Sequence, residues 1–247
     1  KVAQAAPDGH TLLLGANNET AIAPLVNRKL RLNPLKDLTG IGLIASQPMV
    51  LVASAGNREA PRTAAEFIER VKRNPGKYSY GSSGVGTALH LAGEMTKEAA
   101  GLFMVHIPYR GVAPLTSDLL GGQLEYGVFV LSSALPHIRS GKMIAIGTTQ
   151  ARRAALTPEI PALAEHPALK AVDISSWFGL FGPAGLPAAV QQRLTKALAE
   201  AMVVPEVRRK LEESGATMAP AGVNFANFHA AEIAKYRRIV DFAKIEE

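Results

Sequence analysis

Short runs of β-branched and apolar residues alternate along this chain with longer amphipathic segments, and no other feature constrains the fold as strongly. The strand-like runs are residues 11–15, 41–44, 49–54, 78–81, 104–106, 123–130, 143–149 and 177–181. The helix-like segments are residues 63–74, 87–100, 113–120, 132–140, 188–202, 205–213 and 225–242. Strands that alternate with helices favour an α/β fold of mostly parallel sheets flanked by helices.

Composition excludes several classes of protein. The 247 residues include no cysteine, so disulfide scaffolds, thiol nucleophiles and thiolate metal sites are ruled out. Hydrophobic residues make up 47% of the chain, yet no apolar run approaches the roughly 18 residues of a membrane span. The formal net charge of +6 is scattered among acidic residues, so we expect no nucleic-acid partner.

The polar residues offer no recognisable catalytic or metal-binding pattern. The 6 histidines lack the spacings of histidine metal sites, the acidic residues are dispersed, and no serine comes with an evident His and Asp partner. We therefore predict no metal ion, no cofactor and no enzyme activity.

One segment carries a specific chemical signal. Residues 78–91 run from a strand through a loop of small residues into a helix. Such a loop lets a ligand approach backbone N–H groups at the positive end of a helix, where an anion is favoured. The predicted ligand group is a carboxylate or phosphate, and the predicted contacts are Ser82, Ser83, Gly84, Gly86 and Thr87. A plain helix-capping turn is the alternative, and His90, one turn into the helix, is expected to pack or to cap.

The same loop does not match sharper motifs. It lacks the Gly-Lys-Ser/Thr of a P-loop, the third glycine of the dinucleotide fingerprint and the last glycine of a nucleophile elbow. Two other loops offer polar side chains. Asn17 and Asn18 follow the first strand, where they could bind a ligand or cap a helix, and Tyr109 follows the strand at 104–106 and could line the same cleft or pack at its rim.

Several strings of residues resemble one known family. They are APDGHTLL at 6–13, YGSSGVGTALHLAGE at 80–94, VHIPYRG at 105–111, DLLGGQ at 118–123, SALPHI at 133–138, SWFGLF at 176–181 and PAG at 183–185. Their order and spacing resemble the Bug family, the periplasmic solute-binding components of tripartite tricarboxylate transporters.

The resemblance implies a two-lobed, Venus-flytrap protein that captures a small organic carboxylate between its lobes. Lobe one would take residues 1–51 and 178–247, and lobe two residues 52–177. The family's Pro-Gly-Gly loop after its first strand is absent, so we expect the first strand and first helix of lobe one to be missing. The resemblance also implies a monomer, free in the periplasm after removal of its signal peptide, that delivers its ligand to the membrane subunits of a transporter.

One prediction concerns the chemistry of the ligand. Amino-acid-binding relatives often carry an Asp at the position that matches Phe129, and an ammonium group is costly to bury against an apolar ring. We therefore predict that Phe129 contacts a ligand without an amino group.

The alternative function is the ligand-sensing domain of a regulator with the same layout.

Overall fold

The computed structural model describes residues 1–246 and divides the chain into two compact units. The first unit combines Lys1–Ser46 with the chain from Ser176 onward, and the second unit is Gln47–Ser175. The sequence placed these divisions after residues 51 and 177. The strand Met49–Ser54 lies wholly in the second unit because it pairs there with two other strands.

The strands and helices occupy nearly the positions that the sequence pattern predicts. The strands are β1 (Leu13–Ala16), β2 (Leu38–Gln47), β3 (Met49–Ser54), β4 (Ser79–Ser82), β5 (Val105–Pro108), β6 (Tyr126–Val130), β7 (Met143–Thr148), β8 (Ser176–Pro183) and β9 (Thr217–Met218). The α-helices are α1 (Ala23–Val26), α2 (Pro34–Asp37), α3 (Ala64–Arg73), α4 (Ala88–Ala100), α5 (Val112–Leu120), α6 (Leu131–Arg139), α7 (Ala188–Met202), α8 (Pro205–Glu213) and α9 (Phe225–Ala243). The other helical elements among the described residues are short 3₁₀ helices and a π-helix at Asn18–Ile22.

Side-chain caps fix the starts of several helices. Thr63 accepts the N–H of Glu66 at the start of α3, and Asn224 accepts the N–H of Asn227 at the start of α9. A cap of this kind satisfies one of the backbone donors that the first turn of a helix leaves unpaired.

The second unit contains a five-stranded sheet in the order β5-β4-β6-β3-β7. β4 runs parallel to β5 and β6, but β3 runs antiparallel to both β6 and β7. The sheet is therefore mixed: β4 to β7 share one direction, as the predicted α/β fold implies, and β3 opposes them. The helical crossovers α4, α5 and α6 keep β4 to β7 parallel to one another, whereas β3 enters directly from β2 with no helix between them.

The first unit contains a four-stranded sheet in the order β1-β8-β2-β9, in which β1 and β8 are antiparallel and so are β2 and β9. Its core is aromatic. Trp177 on β8 is fully buried and meets the rings of Phe225 and His229 on α9 edge to face. Such contacts fix the position of α9 against the sheet beyond what burial alone would do.

Candidate functional site

The loop between β4 and α4 has the strand–loop–helix form that the sequence predicts. Gly84 has φ +147° and Gly86 has φ +67°, a region that side-chain-bearing residues rarely adopt. Thr87 caps α4, because its Oγ1 accepts the N–H of His90 at 3.3 Å and donates to the carbonyl of Gly84 at 2.9 Å. The small residues are thus required by the backbone path of the loop.

Several groups that the sequence assigned to a ligand are already bonded within the protein. The Ser82 hydroxyl is fully buried, donates to the carbonyl of Gly84 at 3.0 Å and accepts the N–H of Gly84 at 3.3 Å. The N–H of Gly86 donates to Nδ1 of His90 at 3.1 Å. Within residues 1–246, the backbone N–H groups of Ser83, Val85 and Thr87 have no hydrogen-bond partner. The free donors of this loop therefore include main-chain N–H groups, whereas the hydroxyls of Ser82 and Thr87 are already bonded within the protein.

Two stacked imidazoles lie beside the loop. The rings of His90 on α4 and His106 on β5 are parallel within 10°, with centroids 3.7 Å apart. His106 Nε2 lies 2.8 Å from the Ser82 hydroxyl, so the pair contacts both ends of the loop. Burial, helped by the positive charge of Lys97, lowers the pKa of His90 to about 4. Burial and then His90 lower the pKa of His106 to about 3, so both rings are neutral at physiological pH.

A buried carboxylate anchors the same cluster. Glu94 accepts the hydroxyl of Tyr80 at 2.7 Å and the ammonium of Lys97 at 2.7 Å, and its Oε1 lies 3.9 Å from Nε2 of His90. Burial and then Glu94 raise the pKa of Tyr80 well above its usual value. Glu94 and Lys97 form an ion pair within this cluster, and their two charges offset each other.

The segment with Tyr109 is tied to the loop through the backbone. The N–H of Tyr109 donates to the carbonyl of Ser82 at 3.0 Å, and the N–H of Gly111 donates to the carbonyl of Ser83 at 3.2 Å. The Tyr109 hydroxyl donates to Asp118 at 2.9 Å, and burial and this bond raise its pKa to about 12. The structure thus brings Tyr109 beside the predicted loop residues.

Three predicted contacts do not join this cluster. The Phe129 ring is fully buried in the apolar core of the second unit with Val50 and Leu115, so no ligand can reach it without repacking. Asn17 and Asn18 belong to the first unit. Asn17 is fully buried and donates to the Tyr236 hydroxyl at 3.0 Å, whereas Asn18 is exposed at the start of the π-helix.

Sequence reasoning missed His106, Tyr80 and Glu94 as members of the site. All three lie in the strings that carry the family resemblance, at 80–94 and 105–111, and that was the available signal. Among the described residues, no group of three or more His, Asp or Glu could hold a metal ion. Across residues 1–246 we also find no helix with the length and apolar character that a bilayer crossing requires.

Solved structures share this fold over almost the whole chain. The periplasmic binding protein BugD has a TM-score of 0.80 and 29% identity over 99% of this chain and 82% of its own. An R. palustris protein with adipate has a TM-score of 0.83 and 26% identity over 99% and 81%. MatC from Rhodopseudomonas palustris with bound malate has a TM-score of 0.79 and 27% identity over 97% and 82%. The class of protein is thus a periplasmic-type solute-binding protein and not an enzyme.

Relatives in sequence identify the family. The family model described as tripartite tricarboxylate transporter family receptor matches residues 1–245. A protein encoded in the tcbD-tcbE intergenic region of Pseudomonas sp. strain P51 is 31% identical over 97% of this chain and 70% of its own length. BugT of Bordetella pertussis is 28% identical over 87% of this chain and 65% of its own length. The chain belongs to the Bug family of tripartite tricarboxylate transporter receptors, and no finding supports the regulator alternative.

Proposed function

We propose that residues 82–87 of the second unit bind one carboxylate of a small organic acid, and that the protein is the periplasmic receptor that hands this acid to the membrane subunits of a transporter. The observation that carries the proposal is the set of unpaired N–H groups of Ser83, Val85 and Thr87 at the start of α4, in a chain that belongs to a receptor family. N–H groups at the N-terminus of a helix favour an anion through both hydrogen bonding and the helix dipole.

The free energy that these hydrogen bonds can supply favours a ligand with more than one polar end. Three charge-assisted hydrogen bonds of roughly 1.5–3 kcal/mol each supply roughly 4.5–9 kcal/mol. Micromolar affinity requires about 8 kcal/mol after the entropy cost of association has been met. A single carboxylate on this loop is therefore marginal, and a second acidic group bound elsewhere would supply the remainder. Two of the solved relatives carry a dicarboxylic acid, adipate or malate.

Titration calorimetry tests the proposal. We expect the protein to bind malate or adipate, and we expect the uncharged diamide of the same acid to bind at least about 100-fold more weakly, because the unpaired N–H groups of the loop bond more strongly to a charged acceptor. The diamide is the matched control, since it keeps the length of the ligand and removes its charge. No heat with either acid, or equal affinity for acid and diamide, would contradict the proposal.

The prediction that the ligand lacks an amino group is tested separately. It assigned Phe129 to the ligand wall, and because that ring is buried in the core, the proposal no longer depends on it. Succinate and aspartate differ mainly by the ammonium group, so we expect succinate to bind more tightly. Tighter binding of aspartate would reject this part alone.

Two further parts of the proposal concern the state of the protein. The periplasmic location draws support from the family and from relatives described as periplasmic. Fractionation of the native host checks it. The predicted monomer is checked by light scattering with and without malate.

A further inference from the structure

The stacked histidines contact the proposed carboxylate loop through their ring nitrogens. Nδ1 of His90 accepts the N–H of Gly86 at one end of the loop, and Nε2 of His106 lies beside the Ser82 hydroxyl at the other end. Gly86 is buried, so its N–H cannot turn to solvent in place of His90. A buried amide without a partner is unfavourable, and this makes the bond to His90 a constraint on the path of the loop.

We propose that His90 is a positioning residue for the carboxylate loop: its unprotonated Nδ1 fixes Gly86 and thereby holds Ser83, Val85 and Thr87 in the shape that presents their N–H groups. The proposal rests on the proposed function for its purpose, but the constraint on Gly86 can be measured without any ligand. His90 itself makes no contact with the acid.

The surroundings of His90 select the required tautomer. An Nδ1 that accepts a hydrogen bond leaves the ring proton on Nε2. Nε2 faces Oε1 of Glu94 at 3.9 Å, and Glu94 is fixed by bonds from Tyr80 and Lys97. The negative carboxylate favours the N–H form of the nitrogen that faces it. A series of polar contacts therefore connects Lys97, through Glu94 and His90, to the N–H of Gly86.

Gly86 shows why the loop needs this support. Its φ of +67° lies in the left-handed region, which glycine shares freely with other conformations. A glycine at this point supplies the turn but does not by itself prevent the loop from leaving it. The bond to His90 supplies that restriction, and a preorganised loop binds more tightly because less conformational freedom is lost on binding.

Two variants and one control isolate the bond. His90→Leu fills similar space without an acceptor. His90→Asn keeps an acceptor, because its Oδ1 stands at about the same distance from the backbone as Nδ1. Thr96→Val is the matched control, since it removes a buried hydrogen bond from Thr96 to the Ala92 carbonyl on the same helix, away from the loop.

Hydrogen exchange of the Gly86 amide, followed by NMR, measures how strongly His90 restricts Gly86. Calorimetry measures the resulting affinity for malate. We expect His90→Leu to speed Gly86 exchange and to weaken malate binding by about tenfold each, and we expect His90→Asn to stay within about threefold of the unaltered protein. Thr96→Val lowers the thermal midpoint and leaves both quantities unchanged.

Three results would overturn the inference: normal Gly86 exchange in His90→Leu, equal defects in the Leu and Asn variants, or the same defects in Thr96→Val. The ¹⁵N chemical shift of His90 decides the matter even where a variant does not fold, since a protonated Nδ1 in the unaltered protein at neutral pH rules out the bond. If the unaltered protein binds no acid, the proposed function fails, and the exchange rates still decide whether His90 positions the loop.

Discussion

Acidification should destabilise the protein through His90, and the substitution His90→Asn should remove this effect. Burial lowers the pKa of His90 from 6.5 to about 4, with a contribution from Lys97. Protonation at Nδ1 would also place two N–H groups against each other, because the N–H of Gly86 points at that nitrogen. The folded protein therefore resists protonation of a group that the unfolded chain protonates near pH 6.5.

The sign and the size of the effect follow from the shift in pKa. Between pH 6.5 and 4 the unfolded chain binds more protons at this residue than the folded protein does, so stability falls as the pH falls. Above pH 6.5 His90 makes its full contribution to the free energy of unfolding, and this contribution is lost progressively as the pH falls to 4. A shift of this size corresponds to roughly 3 kcal/mol, a large part of the stability of an ordinary domain. His106 loses its own share over the same range and further, toward pH 3.

Urea titrations at pH 7.5, 6, 5 and 4 measure the effect when the variant is compared with the unaltered protein at each pH. The comparison cancels the groups that both proteins share, apart from the part of the His106 shift that His90 itself causes. We expect the stability difference between the two proteins to shrink by roughly 3 kcal/mol from pH 7.5 to pH 4. Trp177, the only tryptophan of the chain, lies in the first unit and reports on that unit separately. Parallel stability profiles for the two proteins would refute the reasoning.

Substitutions at three further positions test other parts of the structure by thermal or urea unfolding. Thr87→Val removes the N-cap of α4 and should cost about 1 kcal/mol, whereas Thr87→Ser should retain most of it, and equal midpoints for all three proteins would contradict the cap. Gly93→Ala would place a Cβ 2.1 Å from the ring of Tyr80, so we expect a loss of roughly 1–3 kcal/mol although alanine favours helices, and a stabilised variant would contradict the packing. Tyr236→Phe removes the buried hydroxyl that accepts hydrogen bonds from the Asn17 amide and the Trp177 indole and should cost roughly 1–3 kcal/mol, and an unchanged midpoint would show that the hydroxyl is dispensable.

Local pattern predicts the elements around the site well. Thr63 and Thr87 both cap helices at the places where the sequence indicated helix starts. The glycines of the loop also have the positive φ that a tight approach to a helix requires. These features depend on a few neighbouring residues, so a single stretch of sequence contains the necessary information.

Contacts between distant parts of the chain could not be predicted in this way. The apolar run of β3 indicates a buried strand but not that it runs antiparallel to both of its partners. Asn17 was weighed as a ligand contact because nothing near it indicates Tyr236 as its partner. The hydroxyl of Ser82 was assigned to a ligand for the same reason, although His106 and Gly84 already engage it.

The cluster under the loop bears on how the proposed carboxylate loop would bind an acid without a cation from the cluster itself. Glu94 and Lys97 offset each other, and His90, His106 and Tyr80 are neutral at physiological pH. In the proposed function, the attraction for an acid at this loop comes from the orientation of peptide N–H groups, whose contribution falls when the loop changes shape. A charged side chain tolerates small movements because its field falls off slowly with distance, whereas a hydrogen bond weakens steeply with angle. Selectivity in the proposed site would then depend on the rigidity of the loop, and the buried polar residues beneath it would act on binding through the shape that they give the loop.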